Sequence, residues 1–227
     1  MLKSRLCIAF FAFAVGCAPA QKPLTDYVNP MLGTATLWDS VDLGFKPTKR
    51  TWGAEVFPGS SLPNAMVQVS PVTKFHSGAG YQYEDSVIYG FTHTNKGHWN
   101  LCHIPLLPVT GTPTPGDYCS PFSHERESAA PGYYQVFLDR YGVDAQLSST
   151  LRCAFHKYTY PAGAAASLLA DLQRSNEHVR AWDIRKEGDN VFAGWQQTGE
   201  KMYFYAVANR PVTGIEPVVE GDREVRI

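Results

Sequence analysis

His93, His98, Cys102 and His103 form the densest group of metal-capable side chains in the chain. Zinc takes four such ligands, usually as paired halves at spacings such as C-x2–4-C. This run is compact and lacks a second paired half, so a polar loop with interface histidines is the better reading, and His98 is assigned to a hydrogen bond with a ligand hydroxyl. Trp99 sits in the same run, within Lys96-Gly97-His98-Trp99-Asn100. An indole offers a flat, polarisable face to the C–H side of a saturated ring, and its N–H donates to a hydroxyl. Polar, glycine-containing loops collect binding residues, yet tryptophan is highly buried on average. Two readings therefore stand for Trp99: a ligand contact, or a ring packed beneath its own loop.

The carboxylates Asp39, Asp42, Glu55, Glu84, Asp85, Glu125 and Glu127 all lie in turn-dense stretches. Acid–base hydrolysis takes two carboxyls held a fixed distance apart, and nothing in the sequence fixes such a pair. Most are read as solvated or ion-paired. Glu55, beside Trp52 and Phe57, is the one assigned to ligand contact. Gly33 and Thr34 follow a strand-like entry and either present backbone and hydroxyl donors to the same pocket or form a tight structural turn. No P-loop, G-x-G-x-x-G, G-x-S-x-G or H-E-x-x-H pattern occurs. Gly59-Ser60-Ser61 lacks the strand–elbow–helix frame that a serine nucleophile needs.

The 227 residues are enough for one substantial core or two modest ones. Charged residues make up 18% and nearly cancel to −1, so the chain has no field to hold a polyphosphate and nucleic acid is excluded as a partner. Aromatic residues reach 13%, punctuated by glycine and proline. That composition suits a β-protein whose rings contact something flat and uncharged, a description that sugars fit.

Residues 1–20 read as a signal sequence: Lys3 and Arg5, an apolar run over 6–15, then small residues. The run is shorter than the roughly 20 apolar residues a bilayer span needs. Ala18-Pro19-Ala20 offers an ordinary cleavage site before Gln21. Ala14-Val15-Gly16-Cys17 offers a loose lipobox, in which Cys17 is lipidated. Either reading places the mature chain outside the cytoplasm, in the periplasm or as an outer-membrane or cell-surface lipoprotein, touching membrane only through a lipid. Beyond the leader remain Cys102, Cys119 and Cys153, which permit one bridge with one thiol left over; the sequence does not select the pair.

The elements that must position these residues are short strands. Apolar runs at 65–69, 86–91 and 104–109 alternate with turn formers such as Phe57-Pro58-Gly59 and Ser77-Gly78-Ala79-Gly80. From Pro131 the pattern becomes regular, with strands expected over 133–138, 145–150, 153–160, 166–172, 178–185, 191–197 and 202–208. Regularly spaced strands with turn signals argue for an all-β, antiparallel β-sandwich. The alanine-rich stretch 162–174 has a helical alternative, which Pro161 and Gly163 disfavour. The chain ends on Arg223-Glu224-Val225-Arg226-Ile227 with no cap or closing turn, which reads as an interrupted strand.

Several stretches in order resemble the N-terminal domain of glycoside hydrolase family 92. They are Tyr27-Val28-Asn29-Pro30-Met31-Leu32-Gly33-Thr34, Phe57-Pro58-Gly59, Pro63-Asn64-Ala65-Met66-Val67-Gln68-Val69-Ser70-Pro71, Gly80-Tyr81-Gln82-Tyr83 and Ile88-Tyr89-Gly90-Phe91-Thr92-His93-Thr94. Further on come Phe122-Ser123-His124-Glu125, Pro131-Gly132-Tyr133-Tyr134, Tyr141-Gly142-Val143 and Phe155-His156-Lys157-Tyr158. The resemblance covers nearly all of the chain after Gln21. It implies a β-sandwich over residues 21–227, incomplete at its C-terminus, that packs on a helical (α/α) catalytic barrel. It implies calcium-dependent, inverting exo-α-mannosidase activity on glycans of glycoproteins. The general acid, general base and calcium ligands belong to the barrel in that family, so no catalytic residue or metal ligand carries over, and this stretch alone is expected to be inactive. A loop of the N-terminal domain reaches the active-site mouth, in agreement with Trp99. The sequence departs from the commonest pattern in the loop 95–103 and in the long insertion 38–52. The alternatives are a free-standing carbohydrate-binding lipoprotein and a structural domain without a ligand. A large uncovered apolar surface would favour the fragment of a two-part enzyme.

Overall fold

The computed structural model describes residues 21–36, 44, 55–97, 99–218 and 225–226. Within them every paired strand runs antiparallel, and helix is limited to two 3-10 turns, Leu24–Tyr27 and His124–Arg126.

The central layer is a seven-stranded sheet in the order Ser60–Ser61, Gln68–Val72, Gly90–Thr92, Leu106–Thr110, Ala166–Ala170, Val225–Arg226, Glu216–Pro217. A four-stranded sheet covers one face, in the order Ala154–Thr159, Val143–Ser149, Tyr133–Leu138, Glu127–Ala130. Side chains alternate across a strand, and here the alternation sorts residues between layers. Val69, Phe91, Leu107, Val109 and Leu169 of the central sheet meet Tyr134, Val136, Leu138, Val143, Ala145 and Leu147 of its neighbour in one buried core. Leu106, Leu168 and Ala170 point the other way. They pack with Ile104, Leu172, Trp182, Ile184, Met202 and Phe204 in a second core. That second core is closed by a three-stranded ribbon, Ala181–Gly188, Val191–Gln197 and Lys201–Val207. The expected sandwich is thus present, with the ribbon added as a third layer.

Strands 133–138 and 191–197 lie where the sequence places them, and the others shift by a few residues, as element ends do. The stretch 86–91 divides into Val87–Ile88 and Gly90–Thr92, which join different sheets. The alanine-rich stretch is a strand at Ala166–Ala170, in full register with Leu106–Thr110. Pairing there buries Leu169 and Ala170 on opposite faces, which outweighs the helical propensity of alanine.

Besides the second apolar core, a buried polar side chain ties the ribbon to segments that flank the central sheet. Gln196 is fully buried; its Oε1 accepts from the Ile104 N–H at 2.8 Å, and its Nε2 donates to the carbonyls of Leu172 (2.8 Å) and Arg174 (3.0 Å). In the larger core, His93 Nε2 lies 3.0 Å from His156 Nε2, and His156 Nδ1 lies 2.7 Å from the Tyr158 hydroxyl. One of the facing nitrogens must donate and the other accept, which suits two neutral rings. Burial pushes His93 down to about 4 and holds His156 well below the usual imidazole range, with His93 adding repulsion.

Two outcomes follow from these contacts. Gln196→Leu keeps the side chain's bulk but strands the Ile104 N–H, and costs about 3 kcal/mol, read as a lower urea midpoint at unchanged m. For the histidines, the unfolded chain binds protons near the ordinary imidazole value of about 6.5 while the folded chain resists them. Stability is therefore level above about pH 6.5 and declines as pH falls toward about 4, since the unfolded state takes up more protons in that window. Urea titrations at stepped pH measure the slope, and His93→Gln flattens it.

Candidate functional site

A cavity of about 140 Å³ opens where three irregular segments converge, and its lining includes Gly33, Thr34, Glu55, Lys74, His76, Gly78, Tyr81, Gln82 and Trp99. Four of the residues singled out in the sequence, Gly33, Thr34, Glu55 and Trp99, thus meet in one place. His98 lies outside the described residues, as do Cys17 with the leader and all of the insertion 38–52 except Gly44.

Each wall has a local cause. Asn29 opens the first turn by accepting the Met31 N–H on its side-chain oxygen, at 3.0 Å. Gly33 takes φ +89°, and Thr34 closes the turn through its N–H and its hydroxyl, both donated to the Met31 carbonyl at 3.2 and 2.8 Å. The Thr34 hydroxyl proton is therefore engaged, leaving that oxygen as an acceptor. The second wall is the loop from Thr73 to Gly80, closed by the Thr73 and Lys74 N–H groups on the Gly80 carbonyl at 2.8 and 3.1 Å. Gly80 has φ +75°, and a Cβ there would fall 2.7 Å from Asn100 Nδ2, so both conformation and space require glycine. Trp99 comes from a small hairpin in which Lys96 pairs with Trp99 and Asn95 with Asn100. Gly97, at φ +63°, supplies the positive dihedral that such a tight loop needs.

Behind the cavity the chain is fixed by buried polar groups. Asn100 is fully buried; its amide reaches the Ala79 carbonyl at 3.2 Å and its oxygen accepts the Cys102 N–H at 2.8 Å. Asn176 accepts the His76 N–H at 2.6 Å and donates to the carbonyls of Ser77 (3.2 Å) and Asn100 (2.6 Å), joining loop to hairpin. Tyr81 is anchored by its hydroxyl on Glu127, at 3.0 Å to each oxygen. Glu127 is itself enclosed and also accepts from Tyr134 at 2.6 Å, with His124 Nδ1 at the same distance. The sequence marks the Ser77–Gly80 turn formers, and Tyr81 and Gln82 as part of a family-like run without a ligand role, but gives no sign of Lys74, His76 or Asn176. Asn176 carried no signal, because its partners lie about a hundred residues away in the chain.

The metal-capable run separates in space. His93 turns to His156, whereas His103 Nδ1 meets Thr94 at 2.9 Å and its Nε2 faces Glu177 and Thr198 at 3.2 Å. Burial pushes the Cys102 thiol up and the His103 imidazole down, although Glu177 opposes the latter. Cys102, Cys119 and Cys153 are separate thiols. Among the described residues no three His, Cys, Asp or Glu side chains are grouped so that they could hold a metal ion. The cavity instead combines an indole, a tyrosine, an amine, an imidazole, an amide and the Glu55 carboxyl. That set recognises a neutral ligand carrying many hydroxyls. Among the described residues that line the cavity, Glu55 is the one carboxyl.

The family model described as the Glycosyl hydrolase family 92 N-terminal domain matches residues 27–225. A family GH92 alpha-mannosidase from Bacteroides thetaiotaomicron superposes with a TM-score of 0.75 at 26% identity, over 91% of this chain and 30% of its own. The same enzyme in complex with mannoimidazole gives 0.72 at 26% identity, over 90% and 29%. A family GH92 inverting mannosidase from that organism shares the fold, with a TM-score of 0.69 at 24% identity, over 91% and 28%. No curated protein sequence matches the chain. The chain spans 30% or less of the length of these structures. Through its N-terminal domain, the chain belongs to glycosyl hydrolase family 92.

Proposed function

We propose that this domain forms the sugar-holding side of an exported exo-α-mannosidase that acts on glycans of glycoproteins. In this reading the ligand is an α-mannoside. Trp99 stacks on a sugar ring, Glu55, the backbone at Gly33 and the Thr34 hydroxyl oxygen contact sugar hydroxyls, and His98 is assigned a hydrogen bond to a further hydroxyl. The two bond-cleaving carboxyls and the calcium ion come from a helical domain on the C-terminal side. Residues 1–20 direct export, and Cys17 is the lipid attachment point if the lipobox is used.

The observation that carries the proposal is the meeting of Trp99 and Glu55 in one cavity of a family 92 domain. Two further points support it. A relative of this fold has been captured with mannoimidazole. The ribbon's outer face shows Tyr203, Tyr205 and Val207 at 70%, 66% and 65% exposure, a hydrophobic row of the kind a docking domain covers. The outer face of the four-stranded sheet is mixed, with Phe155 71% exposed beside a polar network. There Gln135 and Gln146 donate to Asp144 at 2.8 and 2.7 Å.

One observation favours the second reading, a free-standing carbohydrate-binding lipoprotein: this domain itself supplies both the Trp99 ring and the Glu55 carboxyl to one cavity. An α-mannoside hydrolysis assay, run on the chain alone and on the chain joined to a family 92 helical domain, separates the two. Turnover is expected only in the joined protein, and turnover by the chain alone overturns the proposed division. Trp99→Ala weakens mannoside binding about tenfold, ~1.4 kcal/mol, in a calorimetric titration, with an unchanged melting temperature as the control for folding.

A further inference from the structure

Beside the first cavity lies a wider groove of about 610 Å³, lined in part by Lys74, Phe75, His76, Glu84, Tyr89 and Arg174. Lys74 and His76 line both spaces. A clamp also joins them: Glu84 accepts the Thr36 N–H at 2.6 Å and its hydroxyl at 3.2 Å, with Thr36 in the first cavity and Glu84 in the groove. We propose that this groove is a second saccharide subsite, so that the ligand spans at least two sugar units; the proposal rests on the first cavity holding a sugar.

The lining fits a neutral, hydroxyl-rich unit better than an anion. Its cationic groups Lys74 and Arg174 are matched by the carboxyls of Glu84 and Asp85. Arg174 is further committed, with Nε 3.4 Å from Asp171 Oδ2 and its guanidinium 5.5 Å from the ring centroids of both Phe75 and Tyr89. Asp85 accepts from the Thr73 hydroxyl at 2.8 Å. The floor of the groove is a half-buried aromatic pair, Phe75 and Tyr89 at 5.8 Å edge to face, with the Arg174 guanidinium on one side and mixed donors and acceptors around it. Flat rings among balanced hydrogen-bonding groups are what a pyranose ring needs. The fixed geometry also limits the ordering cost of binding: Asn176 pins His76 through its N–H, and Arg174 holds the aromatic floor.

Saturation-transfer NMR and calorimetry on the chain, with methyl α-mannoside and an α-linked mannotriose as probes, test the inference. The triose is expected to bind about tenfold tighter than the methyl glycoside. Ser86, exposed at the groove and outside the first cavity, is the position for a blocking variant. Ser86→Trp removes the tenfold gain and leaves methyl mannoside affinity unchanged, which also shows that the variant is folded. Equal affinity for both probes in the unmodified chain overturns the second subsite while the first stands. Tighter binding of glucuronate than of the triose overturns the neutral assignment. Failure of every saccharide to bind overturns the reading of the first cavity, and the groove's with it.

Discussion

The segment from Asn100 to Ile104 is the constraint on which the rest of the molecule depends. It carries two non-glycine residues in the left-handed region, Cys102 at φ +53° and Ile104 at φ +54°. A β-branched residue there is a genuine outlier, and such strain persists only where its surroundings over-determine it. Here they do. Asn100 is bonded on both sides of its amide, His103 is gripped at both ring nitrogens, Gln196 holds the Ile104 N–H, and Asn176 holds the Asn100 carbonyl. This irregular stretch links the Trp99 hairpin to the central strand Leu106–Thr110. It therefore transmits the position of the sheet to the position of the indole.

Where the chain is periodic, its fold was legible. Tyr133–Leu138 and Val191–Gln197 alternate cleanly and sit between turn formers, so their local pattern and tertiary role agree. Within the expected strand 178–185, the apolar residues at alternate positions, Trp182 and Ile184, close the second core. The third layer was not legible. Alternation says that one face of a strand is buried but not which of two neighbouring layers buries it. The central strands carry apolar residues on both faces, as Leu106 and Leu107 show, and only pairing distinguishes their destinations.

The site was legible in its turns and aromatic residue and illegible in its fixings. Gly33, Glu55 and Trp99 announce themselves through backbone freedom, charge beside aromatic rings, and a polar loop. Lys74 and His76 lie beside a recognised turn yet look like ordinary surface residues. Asn100, Asn176 and Gln196 look like ordinary polar residues in sequence, and become significant only once distant backbone groups are delivered to them. The metal-like run illustrates the reverse. Four suggestive side chains within eleven residues were close in sequence, but His93 and His103 point to different partners because the chain between them forms a hairpin.

The ribbon has a material consequence for anyone handling this domain by itself. Lys201–Val207 pairs on one side with Val191–Gln197, and among the described residues its other side has no neighbouring strand. Its single cation, Lys201, sits at the start and lies over the Trp195 ring at 3.6 Å, which leaves Tyr203 to Val207 without a repelling charge. An open, tyrosine-rich border of this kind templates main-chain pairing with a second molecule. Concentrated preparations of the separated domain would thus tend toward edge-to-edge oligomers, and a charged residue placed at Tyr205 would be the natural solubilising change.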